Sequence, residues 1–164
     1  MTGLANRRRL DHDLGVECDR SRWYGRPLAL IMFDVDHFKR FNDSHGHQRG
    51  DELLQELAAT AAATIRTTDT AYRYGGEEFA VLARETDADQ AVVLAERLRG
   101  RIEEHFAAEG GVAPITSSFG IGLVDAERPA PDDVIARADA ALYRAKADGR
   151  NCVRGPEGYS VSAR

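Results

Sequence analysis

The residues of this chain best suited to chemistry are carboxylates in pairs. Asp34 and Asp36 stand in Phe33-Asp34-Val35-Asp36, at the end of a short apolar run. Side chains alternate along a strand, so the two acids are expected to point the same way, with the Val35 carbonyl between them. That arrangement suits Mg²⁺, a hard cation that takes oxygen ligands and shares them with phosphates. The same residues also fit a simpler account: Asp36 caps a following helix and Asp34 merely ends the strand. Glu77 and Glu78 directly follow Gly75-Gly76. Glycines let a turn lie close to whatever sits above it and leave room for a flat ligand. Alone, this is a hairpin with a solvated tip. Beside the Asp pair, it is the second half of an oxygen cage.

Three cations accompany the acids. Lys39 follows the Asp pair, and Lys146 and Arg150 flank the end of a late helical stretch. Singly, each reads as a solvated surface charge. Together they can neutralise a triphosphate. Asn42 and Asp51 offer a donor–acceptor amide and a carboxylate, which suit the paired N–H donors of a guanine edge. They also fit a turn asparagine and a helix N-cap in Gly50-Asp51-Glu52. Arg66 and Asp69 stand three apart in Arg66-Thr67-Thr68-Asp69. They form either a local ion pair, worth little when exposed, or a grip on a second anionic, guanine-bearing ligand, since a guanidinium stacks on bases and bonds phosphates. His45 and His47 in their glycine loop read as structural or solvated.

The elements that must position these residues follow from hydrophobic period. Residues 4–22 carry Leu4, Leu10 and Leu14 at helical spacing. Residues 28–35 read as a buried strand and 37–44 as a short helix ending near Gly46. Residues 51–66 predict a helix with an acidic first turn. Residues 71–74 and 78–83 predict a hairpin, for which Gly75-Gly76 suits a tight turn because both residues tolerate positive φ. A helix over 88–106, a strand over 115–124, a helix over 130–148 and a last short strand at Cys152 and Val153 complete the order. The expected fold is α/β (α+β): a central mixed, mostly antiparallel sheet of about five strands surrounded by helices.

Composition sets the outer bounds. The 164 residues fit one domain, and 43% apolar content is enough for a core. Lys and Arg number 22 against 27 Asp and Glu, for a formal charge of −5, which argues against a nucleic-acid surface. No apolar run is long enough to span a membrane. Met1 to Leu10 lacks the apolar stretch of a secretory signal. Cys18 and Cys152 are too few for a disulfide framework or a thiolate metal site. No P-loop, dinucleotide-binding fingerprint or nucleophile elbow occurs.

The motifs, in order, resemble those of the GGDEF family of diguanylate cyclases. Thr2-Gly3-Leu4-Ala5-Asn6-Arg7-Arg8 opens the match. Phe33-Asp34-Val35-Asp36-His37-Phe38-Lys39-Arg40-Phe41-Asn42-Asp43, Gly46-His47 and Gly50-Asp51 continue it. Gly75-Gly76-Glu77-Glu78-Phe79 resembles the name motif in its GGEEF form. Ala141-Leu142-Tyr143-Arg144-Ala145-Lys146 and Gly149-Arg150-Asn151 resemble the closing motif. The resemblance runs from Thr2 to about Val153. It sets the expected boundaries at 1–154 for the catalytic domain and 155–164 for a flexible tail.

The resemblance implies a fold similar to nucleotide cyclases and the polymerase palm. It implies condensation of two GTP into cyclic di-GMP with release of two pyrophosphates. By position, Asp34, Glu77 and Glu78 would hold Mg²⁺ (or Mn²⁺) through side chains and Val35 through its carbonyl. Glu77 would also serve as base for the ribose 3′-OH. Asn42 and Asp51 would read guanine. Lys39, Lys146 and Arg150 would hold phosphates with the backbone N–H groups of His37 and Phe38. Arg66 and Asp69 match the family's product-inhibition R-x-x-D. The attacking hydroxyl belongs to a second GTP, so activity implies a homodimer of facing domains. The family's usual Asp before the opening motif is absent. An upstream sensor or dimerisation domain is expected to be missing from this chain, and through it a cytoplasmic catalytic domain could be membrane-anchored. Two other readings compete: a non-enzymatic receptor for cyclic di-GMP or GTP, and an enzyme for another purine. Retention of Asp34, Glu77 and Glu78 favours the enzyme over the receptor. Asp51 would face adenine N1, an acceptor, unfavourably.

Overall fold

The computed structural model describes residues 2–107 and 114–156. Its elements are β1 (Ala5–Asn6), α1 (Arg7–Tyr24), β2 (Leu28–Val35), α2 (Phe38–His45), α3 (His47–Thr64), β3 (Thr70–Arg73), β4 (Glu78–Arg84), α4 (Ala88–Ala107), β5 (Ser117–Leu123), α5 (Pro131–Ala147) and β6 (Val153–Arg154). They build one six-stranded sheet in the order β1-β3-β4-β2-β5-β6. The three inner pairings are antiparallel, and the two edge pairings, β1 with β3 and β5 with β6, are parallel. Residues 157–164 of the expected tail lie outside the described residues. Gly155, where that tail was expected to start, is buried, and its carbonyl accepts from Arg144 Nη2 at 2.6 Å. Among the described residues no helix is long and apolar enough to cross a membrane.

Every residue of β2 is buried, because the strand is covered on both faces. Ala29, Ile31, Phe33 and Val35 face one core with α2, α3 and α4. Leu28, Leu30 and Met32 face the other with α1 and α5. Phe33 lies between Phe79 and Phe119, with ring centroids 5.5 and 4.8 Å away. These three rings tie the central strands together just below Asp34.

Helix α5 lies unusually close to β5. A Cβ on Gly120 would stand 2.1 Å from Leu142 N and 2.3 Å from Ala138 O, and one on Gly122 would stand 2.3 Å from Val134 O. These clashes are with backbone, which cannot swing aside. The helix is set by Pro131 in its first turn, with Asp132 and Asp133 there and Arg144 and Lys146 in the last turn, each favourable to the helix dipole.

Four local expectations are corrected. The first helix begins at Arg7 rather than residue 4, because Asn6 caps it by accepting from Arg9 N at 3.0 Å. Ala5–Asn6 instead adds a sixth strand, too short to show any period. The third helix begins at His47, with no acid in its first turn. Asp51 therefore sits in its second turn and is not an N-cap. Gly46 at φ 85° makes the bend, which lets α3 follow α2 directly. Gly75 and Gly76 are not among the positive-φ residues. The turn spans 74–77, with Tyr74 N and Gly75 N both donating to Glu78 O at 2.8 and 3.1 Å. Arg73 fills it, donating to Gly75 O at 3.2 Å and Gly76 O at 2.7 Å. Gly75 instead leaves room for the Glu78 carboxylate: a Cβ there would lie 2.8 Å from Glu78 Oε2, and that side chain would have to shift.

Replacing Gly120 by Ala should force α5 off the sheet. Urea unfolding of Gly120→Ala is expected to show a loss of about 1–3 kcal/mol, the range for overpacked cores. The half-buried Gly100→Ala, with open space around its Cβ position, should not lose stability.

Candidate active site

The central strand ends in a buried acid. Asp34 is 3% exposed and pairs in register with Glu78 of β4 on one side and Ser118 of β5 on the other. Alternation along β2 puts Asp34 on the α5 face, and Lys146 in the last turn of α5 forms an ion pair with Asp34 Oδ2. Asp34 Oδ1 is buried and has no hydrogen-bond partner. Burial pushes the Asp34 carboxyl up to about 6. Lys146 opposes that shift, while Glu77 and Asp36 add to it. Glu77, in the turn, is raised as well, first by burial and then by Glu78, against Lys146. Asp34, Glu77 and Lys146 thus form one electrostatic unit, with Glu78 beside it beneath Gly75.

An oxygen left unpaired in the interior costs about 1–3 kcal/mol. Asp34 Oδ1 beside further carboxylates is a donor set suited to a hard divalent cation, and Mg²⁺ fits these residues. Among the described residues no group of three or more His, Cys, Asp or Glu side chains is preformed as a metal cluster. The fit rests on Asp34, the acids of the turn and the Val35 carbonyl at the strand end.

Asp36 separates from Asp34 and does not cap α2. The α2 N-cap is His37, at φ 57° and without a side-chain cap bond. Asp36 instead accepts from Thr116 Oγ1 at 2.7 Å, Ser118 Oγ at 2.6 Å and Asn151 N at 3.0 Å. Its oxygens are already engaged, which takes it out of the cage that the Asp pair suggested. Sequence reasoning missed this cluster. Its one signal was Ser117-Ser118 opening an otherwise apolar strand.

The other expected residues lie around the same end of the sheet. Lys39 is exposed in the first turn of α2, next to His37 and the buried Phe38. Arg150 is exposed in the loop after α5. Asn42 on α2 packs against Gly50 of α3, where a Cβ would stand 1.8 Å from Asn42 Oδ1. That close approach brings α2 against α3 one residue before Asp51. Asn42 Oδ1 is buried and has no hydrogen-bond partner, an unused acceptor.

Arg66 and Asp69 are not brought to this site. They precede β3, and the turn holding Glu77 follows it, so the strand separates them. Asp69 is fully buried at its side chain. Arg66 Nε and Nη2 donate to Asp69 at 3.0 and 3.2 Å, and Nη2 also reaches Thr86 Oγ1 at 2.6 Å. The Arg66 side chain remains 47% exposed. This is a braced guanidinium rather than a loose surface pair.

With this geometry, the known proteins most like the chain can be compared. The GGDEF family, described as "Diguanylate cyclase, GGDEF domain", matches residues 1–152. The chain belongs to the GGDEF family. The response regulator PleD of Caulobacter vibrioides is 38% identical over 158 residues, covering 94% of this chain and 35% of PleD. This chain therefore spans about a third of the length of that relative. The solved structure described as the active GGEEF domain of a diguanylate cyclase from Vibrio cholerae superposes with a TM-score of 0.88 at 35% identity, covering 95% of this chain and 99% of that one. The GGDEF domain of DgcB from Caulobacter crescentus, solved with c-di-GMP, gives 0.88 at 34% identity, covering 94% and 92%. The mixed sheet with flanking helices is the GGDEF fold.

A pH dependence follows from Asp34. Its folded pKa lies above its ordinary value of 3.8, so the stabilising neutral form is complete below about 4 and is lost as pH rises through about 6. In chelator, Asp34→Asn should be more stable than the parent at pH 8 by about 2–3 kcal/mol. The gain should disappear by about pH 4 in thermal melts. A gain that persists unchanged at pH 4 would contradict a buried, charged Asp34.

Proposed function

We propose that this chain is the catalytic domain of a diguanylate cyclase. The observation that carries the proposal is the buried, half-unpaired Asp34 beside Glu77, Glu78 and Lys146 in a GGDEF fold. The substrate is GTP and the product is cyclic di-GMP. In each of two steps, a ribose 3′-oxygen forms a bond to the α-phosphorus of the other GTP. The bond to the β-phosphate oxygen breaks and pyrophosphate leaves. The 3′-OH proton passes to Glu77, whose carboxylate burial makes more basic than an ordinary glutamate.

Asp34, Glu77, Glu78 and the Val35 carbonyl hold Mg²⁺ in this reading, with Mn²⁺ as a substitute. The ion supplies charge neutralisation at the phosphates. Lys146, paired with Asp34, would offer its charge to a phosphate held beside the ion. Lys39 and Arg150 hold the phosphate chain, and the N–H groups of His37 and Phe38 donate to it. Asn42 and Asp51 bind the guanine edge. One domain holds one GTP, so two domains must face each other. The proximity gained is worth about 7–11 kcal/mol at most. An upstream domain that brings copies together and a cytoplasmic location agree with this mechanism.

Glu78→Ala should abolish cyclic di-GMP formation from GTP and Mg²⁺, read by chromatography, while the melting transition survives. Parent activity per molecule should rise with protein concentration; a flat specific activity would sink the facing-domain mechanism.

Arg66 and Asp69 form, in this proposal, a second site where product binds and inhibits. The bracing of Arg66 by Asp69 and Thr86 presents a fixed cation to phosphate and a flat face to guanine. Arg66→Ala should raise the product concentration needed for half-inhibition at least about tenfold, equivalent to about 1.4 kcal/mol. Unchanged inhibition would reduce the pair to a structural brace.

A further inference from the structure

Arg150 and Asn151 are consecutive non-glycine residues in the left-handed region, at φ 65° and 45°. Such backbone persists only where its surroundings over-determine it, and it clusters at functional sites. The surroundings are specific. Arg150 N donates to Ala145 O at 3.0 Å, and Asn151 N donates to Asp36 Oδ2 at 3.0 Å. The Asn151 side chain then reaches the opposite way, to α4. Its Oδ1 accepts from Arg99 Nη1 at 3.0 Å, and its Nδ2 donates to Glu103 Oε1 at 3.2 Å. Arg99 is itself fixed by Glu96 and Glu103, at 2.9 Å each.

We propose that Asp36 and Asn151 form a latch that positions Arg150 for the substrate's phosphates. Neither residue touches substrate. Asp36 is anchored at the strand end two residues beyond Asp34, so the loop is referenced to the same strand as the acidic site. Asn151 references it also to α4. The bulky loop residue before the latch is Arg150, whose side chain is exposed. A left-handed backbone tied at both sides fixes the direction in which Arg150 leaves the chain. Asparagine suits position 151 because it tolerates positive φ and supplies both a donor and an acceptor.

The proposal rests on the phosphate-binding role of Arg150, so the test separates the two. Binding of a non-reacting GTP analogue, with a methylene between the α- and β-phosphates, is measured with Mg²⁺ for four proteins: parent, Arg150→Ala, Asn151→Gly and the double variant. Glycine adopts positive φ freely and keeps the N–H to Asp36, so Asn151→Gly removes only the tie to α4. Arg150→Ala is expected to weaken binding. Asn151→Gly is expected to weaken it roughly tenfold in the parent and by less than about twofold in the Arg150→Ala background. Equal losses in both backgrounds would overturn the latch, since a merely structural asparagine acts independently of Arg150. No effect of Arg150→Ala would overturn the phosphate role on which the latch rests.

Discussion

The constraint on which the site depends is a carboxylate forced out of water at the end of a strand that is buried on both faces. Nothing in β2 before Asp34 is polar, and Phe33 is pinned between two aromatic rings. The strand therefore cannot slide to release the acid. A slip of one residue would carry every side chain to the opposite face. Asp34 is left with one ion pair and one unused oxygen. That imbalance makes the place attractive to a cation, and it exists only because the core below it is rigid.

The second requirement is the close approach of α5. Lys146 reaches Asp34 because Gly120 and Gly122 let the helix lie against β5 backbone to backbone. The same glycines do no chemistry themselves. Gly50 acts similarly between α2 and α3, where its missing side chain is the space that Asn42 occupies. In this fold several glycines act as room for neighbours, more than as sources of unusual φ.

Much of this was legible in the sequence. The apolar run over 28–35 predicts β2 at its observed bounds, because full burial leaves an unbroken signature. Helices α4 and α5 follow their periods to within a residue or two. The acids, the cations, Asn42 and Asp51 were legible as residue types in motif order, and the chain's membership of the GGDEF family agrees with that order. What could not be read was short or long-range. A two-residue strand has no period, so β1 was invisible. The start of α3 depends on how Gly46 turns, which neighbouring residues do not reveal. Asp36 looked like the twin of Asp34, because only the folded chain brings Thr116, Ser118 and Asn151 to it from 80 or more residues away. Arg73 as the filler of the Gly75-Gly76 turn had no signal either.

The two edge strands are each two residues long. An edge so short offers almost no row of free backbone groups for another chain to add to. If copies of this domain face each other as proposed, edge strands this short favour contact through side chains and loops, and such a contact can part where a shared ladder would lock.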